Sequence, residues 1–359
     1  MPTNSPRDSR FVNRQSEVPR VLHVVESYGG GVASSIARYV QNTSELEHHL
    51  LCNVRSDDFR EGGEFSQFQT VRKLRTNAVK AVRDIRAAVR ELKPSVLHTH
   101  SSFGGAYARI SVKATRNLAI VYTPHGYAFE RRDIGAIARK AYFGAEWVLS
   151  RNTTTIAACS PREKMLSNQF AAKSVKYVPN VSTVGSARGE AGSGRTETVV
   201  ALGRIAPQRD PEYFLRFAKA ISEKKPSVNL VWVGSGNLED KARIEDSGVH
   251  VTGWLSQPDA TAKIQNAAVY VHTAAWDGFP MSILEAQQLG LAVVARDIPA
   301  LKGAPHLVKS PEEMAASVSR ILEEPAYALR VQQDWSLFLR QNNDGEQRRT
   351  LLEVYGLDR

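Results

Sequence analysis

A chain of 359 residues is too long for one ordinary hydrophobic core and suits two domains of moderate size. Its 42% hydrophobic and 8% aromatic content is that of a folded protein, and the net charge of +10 points to an anionic substrate, a membrane surface or nucleic acid. No zinc-finger, basic-zipper or aromatic-basic RNA-binding pattern occurs, which sets nucleic acid aside, and no apolar run reaches the roughly 20 residues that cross a bilayer.

The opening "MPTNSPRDSRFVNRQSEVPR" is polar, without the apolar centre of a secretion signal, and residues 1–17 read as a loose tail. "RVLHVVE" is a strand, followed by the turn "SYGGG" and a helical "VASSIARYVQNT". "HHLLCNV" is strand-like, "AVKAVRDIRAAVRELKP" is an amphipathic helix stopped at Pro94, and "SVLHTH", "AIVYTPH" and "TTTIAACS" are strands with helical segments between them. The alternation breaks at the small, polar, Gly-rich 182–198. It resumes as strand "VVALGRI", helix "DPEYFLRFAKAISEKKP" and strands "VNLVWVGSG" and "VHVTGW". Helix "PDATAKIQNA", strand "AVYVHT", helix "SILEAQQLG", strand "LAVVARD" and a helical last 50 residues complete the chain.

This pattern predicts an α/β protein with two doubly wound, Rossmann-like domains. The divisions fall at a tail 1–17, a first domain 18–182, a linker 183–198, a second domain 199–340 and a C-terminal helix, 341–359, able to return to the first domain. Two such sheets facing each other make a cleft with a half-site on each side, hence two substrates or one large one. Only Cys52 and Cys159 are cysteines, so no disulfide framework exists and a reducing, cytoplasmic setting is expected.

The turns carry the chemistry. In "SYGGGV", Gly30 and Gly31 allow close approach of a ligand at a helix N-terminus, or simply make a tight turn. The segment fits neither G-x-G-x-x-G nor the Walker A pattern. "ALGRIAPQRDPEYF" sets Arg204 and Arg209 just past a strand end, where guanidinium groups suit a phosphate; two solvated surface charges are the alternative. His125, between Pro124 and Gly126, ends a strand of the first domain. His98 and His100 share one face of a strand, but other metal ligands look scattered and no Asp-x-Asp occurs, so no metal site is expected. In "AAWDGFPMSILEA", Gly278 and Phe279 make the turn, Pro280 starts a helix, and the amides of Met281 and Ser282 face the cleft. Glu285 can accept two hydrogen bonds from a diol; a helix cap at Asp277 and a charge favoured by the helix end is the plainer reading.

The spacing from Asp277 to Glu285, read as "DGFPMSILEA", resembles the Glu-x7-Glu motif of retaining GT-B glycosyltransferases of family 4, group 1. "GRIAPQRDPE", "ESYGGGVASSIARYV", "VLHTHSSFGGAYAR", "YTPHGYAFERRD", "ACSPRE" and "YVPNVS" are similar to further family segments, over about residues 20–300. The resemblance implies a GT-B fold and a nucleotide-sugar donor, with a UDP-sugar favoured. It implies that Glu285 holds the ribose and that Arg204 and Arg209 neutralise the diphosphate. Asp277 and the amides after Gly278 would bind the sugar, with His125 across the cleft. Gly30 and Gly31 would approach the diphosphate or the acceptor from the first domain, and Trp254 would lie near the base. His100 and Tyr127 are acceptor-side candidates. Asp277 stands where the family has Glu, Arg209 where it has Lys, and Val181 where Gly is common.

The implied reaction is sugar transfer with retention to a hydroxyl of a glycan or lipid-linked acceptor, without metal or cofactor, as in bacterial polysaccharide assembly. A non-catalytic sugar-nucleotide- or glycan-binding protein on the same fold is the alternative that Asp277 keeps open. Eight basic residues from Arg72 to Lys93 face only Asp84 and Glu91, and "FERRDIGAIARKAYF" adds a second basic-apolar patch. A solvated helix face explains the first; docking on the anionic inner face of the cell membrane is the sharper expectation.

Overall fold

A computed structural model describes residues 18–54, 65–185 and 196–358. The tail read over 1–17 lies outside the described residues, as do residues 186–195 of the expected linker.

In chain order the first half carries β1 (Arg20–Tyr28), α1 (Gly30–Asn42), β2 (Glu47–Val54), β3 (Thr70–Lys73), α2 (Ala78–Leu92) and β4 (Val96–His100). α3 (Ser102–Ser111), β5 (Ala119–Thr123), α4 (Ala136–Ser150), β6 (Thr155–Ala158), α5 (Pro161–Ser167) and β7 (Ser174–Tyr177) follow. These strands form one parallel sheet in the order β3-β2-β1-β4-β5-β6-β7. Helices cover both faces, so the central strands are buried along most of their length rather than alternating with exposed positions: Val21, Leu22, Val24 and Val25 of β1 have no exposure, and the same holds for its His23 and for His98, Thr99 and His100 of β4.

The second half has β8 (Thr196–Leu202), α6 (Pro211–Lys224), β9 (Asn229–Val233), α7 (Leu238–Asp246), β10 (His250–Val251), α8 (Gln257–Gln265) and β11 (Ala267–His272). α9 (Met281–Gln288), β12 (Ala292–Arg296), β13 (Leu307–Val308), α10 (Pro311–Glu323), α11 (Pro325–Phe338) and α12 (Asp344–Tyr355) complete it. Its parallel sheet runs β10-β9-β8-β11-β12-β13 around a core that includes Trp232, Phe214 and Phe217. β8 begins at Thr196, inside the span expected as linker, because Val199, Val200 and Ala201 pack in that core and draw the preceding residues into the sheet. The short edge strands β3, β7 and β13 escape sequence reading, since so few residues carry no periodic signal.

α12 leaves the second sheet and packs on the first. Leu351, Val354 and Tyr355 join Val21, Tyr39 and Val96 in one cluster, and Arg38 meets Asp344 at 2.9 Å.

Strand order reverses between β1 and β4 in one sheet and between β8 and β11 in the other. Ligands bind outside the carboxyl ends of strands at such switch points. The Gly-rich turn after β1, Gly203 and the turn after His272 converge between the two sheets, whereas His100, at the end of β4, is fully buried.

Candidate active site

A cavity of about 480 Å³ lies between the sheets, lined by Gly30, Gly31 and His125 from one side and by Arg204, Arg209, Trp254, Asp277 and Glu285 from the other. Phe279, Met281 and Ser282 also line it.

The Gly-rich turn is locally determined. Gly30 sits at φ +52°, in the left-handed region where a Cβ is strained. A Cβ on Gly31 would lie 3.2 Å from Met281 Cγ, so the small residue admits α9 of the facing half.

On that half, Asp277 Oδ2 accepts a hydrogen bond from Arg209 Nη1 at 3.0 Å. Both side chains are largely buried, with 19% and 12% of their surfaces exposed for Arg209 and Asp277. Burial pushes the Asp277 carboxyl above the usual carboxylate range, and the Arg209 charge pulls it back in part. Glu285 is governed by the same two opposed effects, burial first. Arg204 lies with its guanidinium 5.7 Å from the centre of the Trp254 ring, and that ring is 39% exposed. Pro280 precedes α9 instead of opening it: its ψ of 114° is extended, and its carbonyl already accepts the Ile283 amide at 3.2 Å. The first amides of α9 are therefore those of Met281 and Ser282, unpaired within the helix. Two guanidinium groups and a helix N-terminus around one cavity can neutralise an anion such as a diphosphate.

Family comparisons agree with this arrangement over most of the chain. A family model described as "Glycosyltransferase Family 4" matches residues 29–181, and one described as "Glycosyl transferases group 1" matches residues 196–324. The chain belongs to the family 4, group 1 glycosyltransferases. It is 24% identical over 296 residues to a 41.2 kDa protein of the cps region of Klebsiella pneumoniae, covering 78% of this chain and 82% of that one. It is 25% identical over 245 residues to the UDP-Gal:alpha-D-GlcNAc-diphosphoundecaprenol alpha-1,3-galactosyltransferase of Escherichia coli, covering 61% of this chain and 62% of that one. Among solved structures, Anabaena HepE in complex with UDP and glucose superposes with a TM-score of 0.72 at 14% identity, over 94% of this chain and 99% of that one. Sucrose-phosphate synthase from Thermosynechococcus elongatus gives 0.72 at 16% identity, over 94% and 98%. The fold is GT-B.

Two candidate residues of this glycosyltransferase sit away from the cavity. His100 has no exposure, because it lies beneath His125 in the first sheet. Tyr127 is 1% exposed, its ring stacked on Phe129 and its hydroxyl 2.8 Å from Ser167 Oγ. Neither side chain meets the cleft, so an acceptor-side role for them is not supported by this geometry.

Sequence reading also missed residues. Glu163 is buried at the start of α5 and accepts the backbone amides of Gly126 at 2.9 Å and Cys159 at 2.6 Å. It thereby anchors the loop bearing His125, which itself sits at φ +53°. Asn180 bridges the halves, accepting from Ser35 Oγ at 3.3 Å and donating to the Phe279 carbonyl at 3.4 Å. The apparent scatter of metal ligands is also corrected: His23 of β1 stands in register with His98 of β4, and His23, His98 and His100 cluster with ligand atoms within 4.8 Å of one another. All six of their ring nitrogens already meet another side chain, so the rings form a hydrogen-bonded array, with no lone pairs left to converge on an ion.

Proposed function

We propose that this glycosyltransferase moves a hexose from a UDP-sugar to a hydroxyl of a glycan or lipid-linked acceptor, with retention and without a metal. The observation that carries the reading is the convergence of Arg204, Arg209, the α9 N-terminus and Glu285 on one cavity. The E. coli relative named for a UDP-Gal donor and an undecaprenol-linked acceptor, and the HepE complex with UDP and glucose, support the choice of donor and acceptor classes. The cps-region relative supports a part in polysaccharide assembly.

The bond from the anomeric carbon to the leaving phosphate oxygen breaks as the acceptor hydroxyl attacks from the same face. The acceptor's proton passes to the departing phosphate. Arg204, Arg209 and the amides of Met281 and Ser282 stabilise the growing diphosphate charge, a fixed electrostatic contribution that a metal supplies elsewhere. Glu285 accepts the two ribose hydroxyls, and Asp277, oriented by Arg209, meets the sugar. Residues 18–182 then form the acceptor side and 199–340 the donor side.

Calorimetry with UDP tests the donor site. Glu285→Gln should weaken binding by about tenfold or more, since hydrogen bonds to a charged acceptor are worth more than neutral ones. An ionised carboxylate accepts both hydroxyls and a protonated one does not, so affinity falls as the pH drops through the Glu285 pKa. Burial raises that pKa, which moves the loss toward neutral pH relative to an exposed Glu, and Glu285→Gln abolishes the limb. Unchanged UDP affinity in the variant overturns the ribose assignment. A thermal-shift screen of UDP-, GDP- and ADP-sugars reads the base.

A lipid-linked acceptor brings the membrane surface into the reading. Among the described residues no helix is long and apolar enough to cross a membrane. α4, however, buries Glu146 and Ser150 and turns Ile137 (87% exposed), Trp147 (45%) and Val148 (56%) outward beside exposed Arg139 and Lys140. α3 and α2 lie alongside, and α2 adds exposed Lys80, Arg83 and Arg90, while its neighbours Arg72 and Arg75 are paired with Glu91 and Asp84. Flotation should recover more protein with anionic than with neutral liposomes, and less at high salt. Equal recovery with both lipids overturns electrostatic docking.

A further inference from the structure

Four imidazoles form an unbroken line beneath the cleft. His48 Nδ1 lies 3.0 Å from His23 Nε2, His23 Nδ1 lies 3.1 Å from His100 Nε2, and His100 Nδ1 lies 3.1 Å from His125 Nε2. At the far end His48 Nε2 lies 2.9 Å from the Thr43 carbonyl oxygen and 3.1 Å from the Thr43 hydroxyl. That hydroxyl gives its own proton to the Tyr39 carbonyl at 2.7 Å.

These contacts determine where every proton sits. A carbonyl oxygen only accepts, so His48 carries its hydrogen on Nε2. A neutral imidazole has one N–H and one lone pair, so His48 Nδ1 accepts from His23 Nε2–H. The rule repeats: His23 Nδ1 accepts from His100 Nε2–H, and His100 Nδ1 accepts from His125 Nε2–H. His125 is left with a lone pair on Nδ1, and among the described residues that atom has no protein partner. Neutrality is enforced by burial, which lowers the pKa of all four rings and takes His125 to about 3. An extra proton on His48, His23 or His100 would set two N–H groups against each other within the line.

We propose that His100, His23 and His48 are positioning residues that hold His125 in its Nε2–H tautomer, so that its Nδ1 accepts a hydrogen bond from a hydroxyl of the sugar in the cleft. This rests on the nucleotide-sugar reading above. The Thr43 carbonyl, three rings away, thus selects what the cleft face of His125 recognises. A sugar hydroxyl can donate to a lone pair; a fluorine or ether oxygen at the same position cannot, and is discriminated against.

The first test uses the full chain labelled with 15N-histidine and no donor. Nitrogen chemical shifts should report protonated Nε2 and unprotonated Nδ1 on His48, His23, His100 and His125. A protonated Nδ1 on His125 overturns the proposal. Because this readout needs no substrate, its failure is distinct from that of the nucleotide-sugar reading, which would appear as absence of UDP binding.

The second test compares His100→Leu with His100→Gln. Leu removes the acceptor for His125 Nε2–H, so kcat/KM should fall about tenfold, whereas the Gln side-chain carbonyl accepts and restores most of the rate. The preference for the hydroxyl donor over its fluoro analogue should shrink in His100→Leu and persist in His100→Gln. Equal losses in both variants with an unchanged preference would make the line merely structural and overturn the proposal. If His100→Leu does not fold, the tautomer measurement on the native chain still decides.

Discussion

Arg209→Gln is expected to lower turnover by roughly a hundredfold or more, the scale on which a single preorganised charge-stabilising donor acts in a transition state. Initial rates with the UDP-sugar donor measure it, and calorimetry should record weaker UDP binding. The side chain does two jobs at once. It lines the cavity toward which the α9 N-terminus points, and its Nη1 holds Asp277 Oδ2 at 3.0 Å. In the proposed reaction, removing the charge takes away a counter-ion for the leaving diphosphate. It also leaves a largely buried carboxylate without the group that opposes its desolvation. The Asp277 carboxyl pKa should therefore climb further, and the acid limb of the pH–rate profile should shift upward in the variant. Arg209→Lys restores the charge without the planar fork and should recover only part of the rate. Native rates and UDP affinity in Arg209→Gln would overturn the assignment.

Gly278→Ala should cost about a hundredfold in kcat/KM while sparing UDP affinity. A Cβ at this position would lie 2.5 Å from Gly126 N, 2.7 Å from the His125 carbonyl carbon and 3.0 Å from Gly126 Cα. These are backbone atoms of the facing half, held by the Glu163 carboxylate through the Gly126 amide. They cannot rotate aside as a side-chain tip can, so relief requires the two sheets to part. Displacing reacting groups by about an ångström costs on the order of a hundredfold in rate. Gly278 is absent from the residues at positive φ, so Ala adds the clash without backbone strain. The groups proposed to hold UDP, Arg204, Arg209, Met281, Ser282 and Glu285, all belong to the second half, so UDP should still bind, and small-angle scattering should register a more open particle. Native kcat/KM would mean that this backbone contact is not part of the reactive geometry.

Much of the site was legible in sequence because it is built from contiguous turns. A strand end, a Gly-Phe-Pro turn and a helix start put Asp277 and Glu285 on one rim whatever the rest of the chain does, and "GRIAPQRDPE" does the same for Arg204 and Arg209. His125 was legible for the same reason. What sequence could not supply was the partner of each group. The Arg209–Asp277 pair joins residues 68 positions apart, and the Glu163 contact to Gly126 spans 37. His100 and Tyr127 were misread because a strand-end or loop residue can point either to the cleft or into the core, and only packing against neighbouring strands selects one.

The histidine line marks the division most clearly. Sequence alone determined that His98 and His100 share a face of one strand, since side chains alternate along it. It also determined the two alternating α/β halves, because their periodicity and turn chemistry are local. That His23 of β1 lies in register with His98 of β4, and that His48 of β2 closes the line at Thr43, was decided by strand order and register. Those depend on how many apolar faces the whole sheet can bury together. They are a property of the assembled core, and no single segment encodes them.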